Sequence, residues 1–297
     1  MSSTETEPSQ KPAIRQPSLR IAIQGYPGAF HEIAARQYLH PQPLDIVAAH
    51  TFEDLIALVE AGEQADAGLM AVENTLAGTI LSNYRLLQAS QLQAVGEVYL
   101  RIHQNLLVLP GARLQALKEV HSHPVAIAQC LAFFEKYPHI KLIENADTAL
   151  SARMVAESGR TDIGAIGSEL AAGLYGLEVL APAIETNKHN YTRFLVLQRQ
   201  QAESLTLAKQ LPDKVSLSFS VDHQVGSLYK VLAVLAAYNL NLTKIQSSPI
   251  IGRPWEYSFF IDFIADGKVS YAQAIEAIRP ITRELKIIGI YPQGQRE

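Results

Sequence analysis

Four short stretches hold the residue types that could do chemistry: GYPGAF at 25–30, VENTLAGT at 72–79, HSHPVAIAQC at 121–130 and NYTRF at 190–194. In the last, a hydroxyl (Thr192) and a guanidinium (Arg193) stand where a loop becomes the apolar run FLVL. Thr is at home in strands and Arg can brace an edge. The same pair could also be a proton donor and an anion clamp held over a pocket by a rigid element, with Asn190 and Phe194 beside it. The Gly/Pro turn containing Gly28 and Phe30 can aim backbone N–H groups at an anion, although it is neither a dinucleotide fingerprint nor a P-loop. Glu73, Asn74 and Thr75 directly follow an apolar run, at the strand end where open α/β sheets place ligands. Helix capping by Asn74 or Thr75 is the competing reading.

The remaining stretch offers Ser122 at a strand-to-helix junction and Gln129 off the apolar stripe of its helix. His121 and His123 lack an evident third ligand, so no metal site is expected. No G-x-S-x-G occurs, nor a paired-carboxylate motif. What remains is a set of neutral polar groups with one Arg, spread over four loops. That suits a substrate that is anionic and already reactive, which the protein needs only to orient and supply with one proton or hydrogen bond.

The elements that must position these groups alternate. LRIAIQG reads as a strand and AFHEIAARQYL as a helix; LDIVAAH, then TFEDLIALVEAG with Thr51 as N-cap, repeats the unit, as do ADAGLMAVE and TILSNYRLLQAS. EVYLRIHQNLLVLPG reads as extended, LKEVHSH as a strand and PVAIAQCLAFFEKY as one helix with Pro124 in its first turn and Cys130 on its core stripe. TALSARMVAESG and ELAAGLYG read as helices, the second ending at Gly176; DIGAIGS, LEVLAPAI and TRFLVLQ read as strands. The pattern predicts an α/β fold of two lobes around a cleft. Residues 199–212 read as a linker, and from 213 the order becomes βαββαβ, the ferredoxin-like arrangement.

Composition sets the limits. The chain has 297 residues, 48% apolar and 18% charged, a globular balance. A formal net charge of −4 and no basic run give no electrostatic reason to bind nucleic acid or membrane. The single cysteine excludes an internal disulfide framework. Residues 1–18 are polar, expected to be a disordered tail without a signal-peptide core, and no apolar run suggests a membrane span. The expected compartment is the cytoplasm.

The four stretches, in this order, resemble the prephenate dehydratase family, whose pattern has a Gly-Pro-x-Gly-Thr-Phe-like turn, Glu-Asn-Ser, Ser-His-Pro-Gln with a later Gln-Cys, and Thr-Arg-Phe. Here they read GYPGAF, ENT, SHPVAIAQC and TRF. ELAAGLYGLEVLAP also looks like the family, and GSLYKVLAVLAAYNLNLTKIQSSP is similar to the ACT regulatory domain, with QSSP where Glu-Ser-Arg-Pro is usual. The resemblance covers nearly all of residues 19–291. It implies a two-lobed, periplasmic-binding-protein-like catalytic domain over 19–200 and an ACT domain over 213–297. The implied activity is decarboxylative dehydration of prephenate to phenylpyruvate, in phenylalanine biosynthesis, by a lyase without cofactor.

The resemblance also implies roles. Thr192 donates to the departing hydroxyl and Arg193 clamps a carboxylate. Asn74, Thr75, Ser122 and Gln129 hold substrate and leaving water, and Glu73 orients them or acts as an acid; Gly28, Phe30, Asn190 and Phe194 line the site. Phenylalanine, as regulator, is expected at Val225, Gly226, Ser227 and Leu228 with Asn241 and Leu242, in a homodimer or homotetramer. Arogenate dehydratase and a non-catalytic small-molecule-binding protein remain as alternatives.

Overall fold

The computed structural model describes residues 18–200, 202, 211–265 and 270–295. The expected tail up to residue 17, and residues 201 and 203–210 of the expected linker, lie outside the described residues; Arg199, expected in the linker, is the last residue of a strand. The first lobe comprises β1 (Leu19–Gln24), α1 (Phe30–Leu39), β2 (Leu44–Ala49), α2 (Phe52–Ala61), β3 (Ala67–Asn74), the two-residue β4 (Gly78–Thr79), α3 (Leu81–Ala89) and β5 (Leu92–Arg101). Helix α2 starts where Thr51 and Asp54 form a reciprocal capping box and stops at Gly62, whose φ is 72°.

The chain then builds a second lobe from β6 (Asn105–Val108), β7 (Glu119–Ser122), α4 (Pro124–Gln129), α5 (Leu131–Phe134), β8 (Lys141–Glu144), α6 (Thr148–Ser158), β9 (Ile163–Gly167), α7 (Glu169–Tyr175) and β10 (Glu178–Ala181). It returns to the first lobe as β11 (Tyr191–Arg199), which lies antiparallel between β3 and β5. Two crossings of the chain, at 102–104 and 182–190, therefore join the lobes, the plan of two-lobed small-molecule-binding proteins.

Besides the two-residue β4, whose Thr79 was expected in the next helix, two elements depart from the sequence reading. The helix expected over PVAIAQCLAFFEKY breaks at Cys130, whose φ of −112° and ψ of 5° leave the helical region. The cause is a competing donor: the Thr186 N–H takes the Gln129 carbonyl at 2.8 Å, and the fully buried Cys130 turns into the core. Strand β8 was not anticipated. It is four residues long with charged, exposed ends at the sheet edge, so it carries no alternation to read.

The C-terminal unit is β12 (Lys214–Ser220), α8 (Ser227–Ala237), β13 (Asn241–Pro249), β14 (Tyr257–Ile264), α9 (Tyr271–Ile278) and β15 (Arg283–Tyr291), with sheet order β13-β14-β12-β15. Its core packs Val231 and Leu235 of α8 and Ile275 and Ile278 of α9 onto Val215, Leu217, Phe219, Ile261 and Phe263. This sheet is continuous with that of the first lobe, through a parallel pairing of Gly289 with Ala94. A Cβ on Gly289 would lie 2.3 Å from the Ala94 carbonyl oxygen, so a side chain there would force the junction apart. The result is one ten-stranded sheet across two domains, beside the five-stranded sheet of the second lobe. No helix among the described residues is long and apolar enough to cross a membrane.

Candidate active site

Strand alternation decides where the chemistry-bearing residues go. Successive side chains on a strand face opposite sides. Thr192 pairs with Asn74 across β11 and β3, and Arg193 pairs with Glu73. Thr192 and Asn74 face the cleft between the lobes, a cavity of about 390 Å³ that Phe30, Gln129 and Phe194 also line. That size suits a small organic ligand. Glu73, Thr75 and Arg193 line a different cavity, of about 360 Å³, against the C-terminal domain.

On the cleft side, side-chain amides form a continuous relay. Asn74 donates from Nδ2 to Asn190 Oδ1 at 2.8 Å and to Thr192 Oγ1 at 3.0 Å. Its Oδ1 accepts from the N–H groups of Leu76 and Ala77, at 3.0 and 2.9 Å, which settles the orientation of the amide. The fully buried Asn190 donates to Gln129 Oε1 at 2.9 Å, and Gln104 reaches the same oxygen at 3.3 Å. Thr192 accepts a bond at one lone pair while its own proton remains to donate. A hydroxyl that accepts is polarised toward donation.

On the opposite face, Arg193 is 5% exposed and held by two carboxylates. Its Nε meets Glu97 at 2.7 Å and its Nη1 meets Asp262 of β14 at 2.5 Å. Tyr291 accepts from Nη2 at 3.0 Å, and Lys214 Nζ bonds both Glu97 oxygens, at 2.9 and 2.8 Å. Burial opposes the Arg193 charge, but Asp262 foremost among its partners outweighs that, and its pKa stands well above the usual value. Two cations and two anions are thereby neutralised inside the domain junction. The substrate-clamp role expected for Arg193 does not fit this position: β-strand alternation turns it away from the cleft.

Other expected site residues separate similarly. Glu73 pairs with Lys244 of β13 at 2.8 Å. Thr75 donates to the His189 carbonyl at 3.0 Å and accepts from the Tyr191 N–H at 2.9 Å, clipping β3 to the start of β11. Ser122 is fully buried and bonds the Ile166 carbonyl at 2.8 Å, tying β7 to β9. Gly28, with φ of 91°, lies where a Cβ would come within 2.8 Å of Ala171 Cα, and its carbonyl accepts from Ser168 Oγ at 2.5 Å. It sets the contact between lobes. In the C-terminal domain Ser227 and Leu228 line a small cavity with Trp255 and Tyr257, beside the exposed Val225 and the helix-starting Gly226. Asn241 and Leu242 lie at the other end of β13: Asn241 pairs with Ile264, whereas Pro249 pairs with Tyr257.

Sequence reasoning missed Gln104, His31 and Asp147 and weighed His123 only as a metal ligand; all four line the cleft. Asp147 carried a legible signal as the N-cap of α6, where it accepts from the Leu150 N–H at 2.8 Å. His31 carried none. Its ring packs edge-on against Phe194, with centroids 5.0 Å apart, and its enclosed Nε2 makes no protein hydrogen bond. Burial lowers its pKa from 6.5 to about 4. The unfolded chain takes up this proton below pH 6.5 while the folded one does not until about 4. Stability is therefore expected to fall through that window, by about 2 kcal/mol between pH 7 and pH 5. Urea midpoints at both pH values check this. The difference between them should shrink in His31→Gln, and an unchanged pH dependence in that variant would reject it.

Fold and cleft together define a two-lobed α/β protein with a small-ligand cleft of polar groups that includes one carboxylate, Asp147, fused to a ferredoxin-like domain. Residues 21–202 match the family profile for prephenate dehydratase and residues 215–280 that for the ACT domain. The chain belongs to the prephenate dehydratase family and carries an ACT domain. It is 36% identical over 282 residues to the bifunctional chorismate mutase/prephenate dehydratase of Escherichia coli K12, covering 94% of this chain and 72% of that protein. It is also 36% identical over 289 residues to arogenate dehydratase/prephenate dehydratase 1 of Arabidopsis thaliana, covering 92% and 72%. Among solved structures it is similar to GqqA, described as a quorum quenching acylase, with 33% identity, TM-score 0.81 and coverage of 92% and 98%. It is also similar to prephenate dehydratase from Arthrobacter aurescens in complex with L-Phe, with 26% identity, TM-score 0.81 and coverage of 92% and 90%.

Proposed function

We propose that this protein is a prephenate dehydratase whose reaction takes place in the cleft at Thr192, under control of phenylalanine bound to the ACT domain. The observation that carries the reading is the amide relay ending on a hydroxyl in a small-molecule cleft, in a chain that belongs to this family.

Prephenate needs little from the protein. The electron pair of the bond to the ring carboxylate moves into the ring as carbon dioxide leaves. The bond to the para hydroxyl breaks, and that oxygen takes one proton and departs as water. The ring becomes aromatic, so the driving force is in the substrate, and the barrier lies in expelling a poor leaving group. Thr192 donates a hydrogen bond to that oxygen, and the relay through Asn74, Asn190 and Gln129 holds the donor in place before the substrate arrives, so that no reorganisation is needed during the step. Phe30 and Phe194 give the ring an apolar seat.

Regulation follows from the continuous sheet. Phenylalanine on the ACT domain acts through β12, β14 and β15, which hold Lys214, Asp262 and Tyr291, onto Arg193, next to Thr192 in the chain. The exposed Val225, Tyr229, Ile245, Ile251 and Trp255, with the unpaired edge of β13, suit association with a second copy. Such pairing could bring a partner's Asn241 to the Ser227 end of the domain. A reducing, cytoplasmic setting suits the buried thiol of Cys130.

The test is phenylpyruvate formation from prephenate by the purified protein, with and without phenylalanine. Turnover that falls as phenylalanine is added is the expected result. Turnover indifferent to phenylalanine would remove the regulatory half of the reading, and no turnover would remove the catalytic half.

A further inference from the structure

The proton balance of the reaction calls for an acid. Prephenate enters with two carboxylates and is converted to carbon dioxide, water and phenylpyruvate, which carries one, so each turnover consumes one proton. The Thr192 hydroxyl can hold the departing oxygen, but an alkoxide left behind would itself have to be reprotonated by an acid. The cleft offers few. Among the described residues lining it none is Lys or Arg, and the titratable ones are His31, His123 and Asp147.

Two of these three have another task. His123 caps α4, its Nδ1 accepting from the Val125 N–H at 3.2 Å. Asp147 caps α6 at the Leu150 N–H; burial raises its pKa, and the backbone N–H groups of Leu150, Ala149 and Thr148 oppose that rise. His31 has no such task. Its ring meets Phe194 and Phe52, with centroids 5.0 and 5.7 Å away, and its Nε2 has no hydrogen-bond partner. Phe194 and Thr192 are alternate residues of β11 that both line the cleft. They stand about 7 Å apart along the strand, so the imidazole beside Phe194 is about one bridging water from an oxygen held by Thr192.

The charged groups around His31 belong to other partners. Glu32, next to it on α1, bonds the Gly28 N–H and Arg36. Asp54 of α2 closes the capping box with Thr51, and Glu53 is exposed. Glu73, Glu97 and Arg193 of the flanking β3, β5 and β11 lie on the far face, at the domain junction. Burial alone therefore keeps the ring neutral in the free protein. A dianion brought into the same cleft reverses that preference, because a nearby negative charge favours the imidazolium.

We infer that His31 is the acid of this site: its imidazole takes one proton from solvent as the dianionic substrate enters and gives that proton to the departing oxygen. The inference rests on the dehydratase reading above. The bond to the ring carboxylate breaks and its electron pair enters the ring. The bond to the hydroxyl breaks and its pair stays on the oxygen, which takes the imidazolium proton and leaves as water. Thr192 holds that oxygen throughout and keeps its own proton, and His31 ends neutral.

The experiment follows kcat for prephenate from about pH 6 to pH 9 in the full-length protein, in His31→Gln and His31→Leu, and in Asp147→Asn, which keeps a helix cap. Wild-type kcat is expected to fall with rising pH as the substrate-bound imidazolium loses its proton. Both His31 variants are expected to be about 10²-fold slower at the acid end and to lose that fall, whereas Asp147→Asn keeps it. A packing role alone would leave His31→Leu with the wild-type profile, which overturns the inference. A wild-type kcat that stays level across the range also overturns it, with no variant needed, and so does a fall that disappears in Asp147→Asn. In those cases the dehydratase reading stands; a wild type inactive on prephenate removes both.

Discussion

Thr192→Ala is expected to lower kcat for prephenate about 10²–10³-fold while KM changes only a few-fold, because a hydrogen bond to the departing oxygen strengthens as charge develops there. Thr192→Ser keeps the hydroxyl and loses a methyl, so it is expected to retain activity to within about tenfold of wild type. The geometry makes this contrast sharp. Asn74 fixes the hydroxyl at 3.0 Å, and its own orientation is fixed by two backbone N–H groups, so Ser at 192 finds the same partner waiting. Asn74→Ala should approach the Thr192→Ala loss in kcat, since an unheld hydroxyl points elsewhere. Steady-state kinetics on the three variants decide the matter. Equal losses in Thr192→Ala and Thr192→Ser would remove the hydroxyl from the mechanism.

Arg193→Met is expected to act on stability and coupling, not on substrate binding. It leaves Glu97 and Asp262 buried with only Lys214 opposing them, and stranding a buried charge in this way costs about 3–5 kcal/mol. Thermal unfolding should shift down by roughly 10 °C. In the fraction that folds, KM for prephenate should stay near the wild-type value, and any response of turnover to phenylalanine should be lost. Asp262→Asn keeps a hydrogen-bond acceptor for Arg193 and should give a smaller form of the same effect. The alternative is a carboxylate clamp in the cleft. That would raise KM strongly with little change in melting temperature, so the two readings differ in both measurements.

The contrast between Thr192 and Arg193 marks how far the sequence reaches. Types and order of residues were enough for the family, for an α/β alternation of two lobes, and for a ferredoxin-like unit after residue 213, because apolar periodicity and turn residues are local properties. They also named Asn74, Gln129, Asn190 and Thr192, but within a larger set that held Glu73, Thr75, Ser122 and Arg193 as well. The motifs ENT and TRF, however, read as blocks in the sequence. Once each is laid on a strand, the period of two divides it, sending Asn74 and Thr192 to the cleft and Glu73 and Arg193 to the domain junction. Which neighbour of Thr192 meets the substrate could not be known without knowing that a second domain covers the far face.

His31 and Asp147 show the same limit from another side. Each sits in a helix or cap whose local pattern explains it completely, and only the folding of the second lobe over the first makes them walls of one cleft. The break at Cys130 is decided by Thr186, a donor more than fifty positions away. Sequence by itself determined what local free energy controls: the elements, their caps and the polar groups available. Tertiary structure decided which face of each element meets what, because burial and charge pairing between distant segments are settled only when the chain has closed on itself.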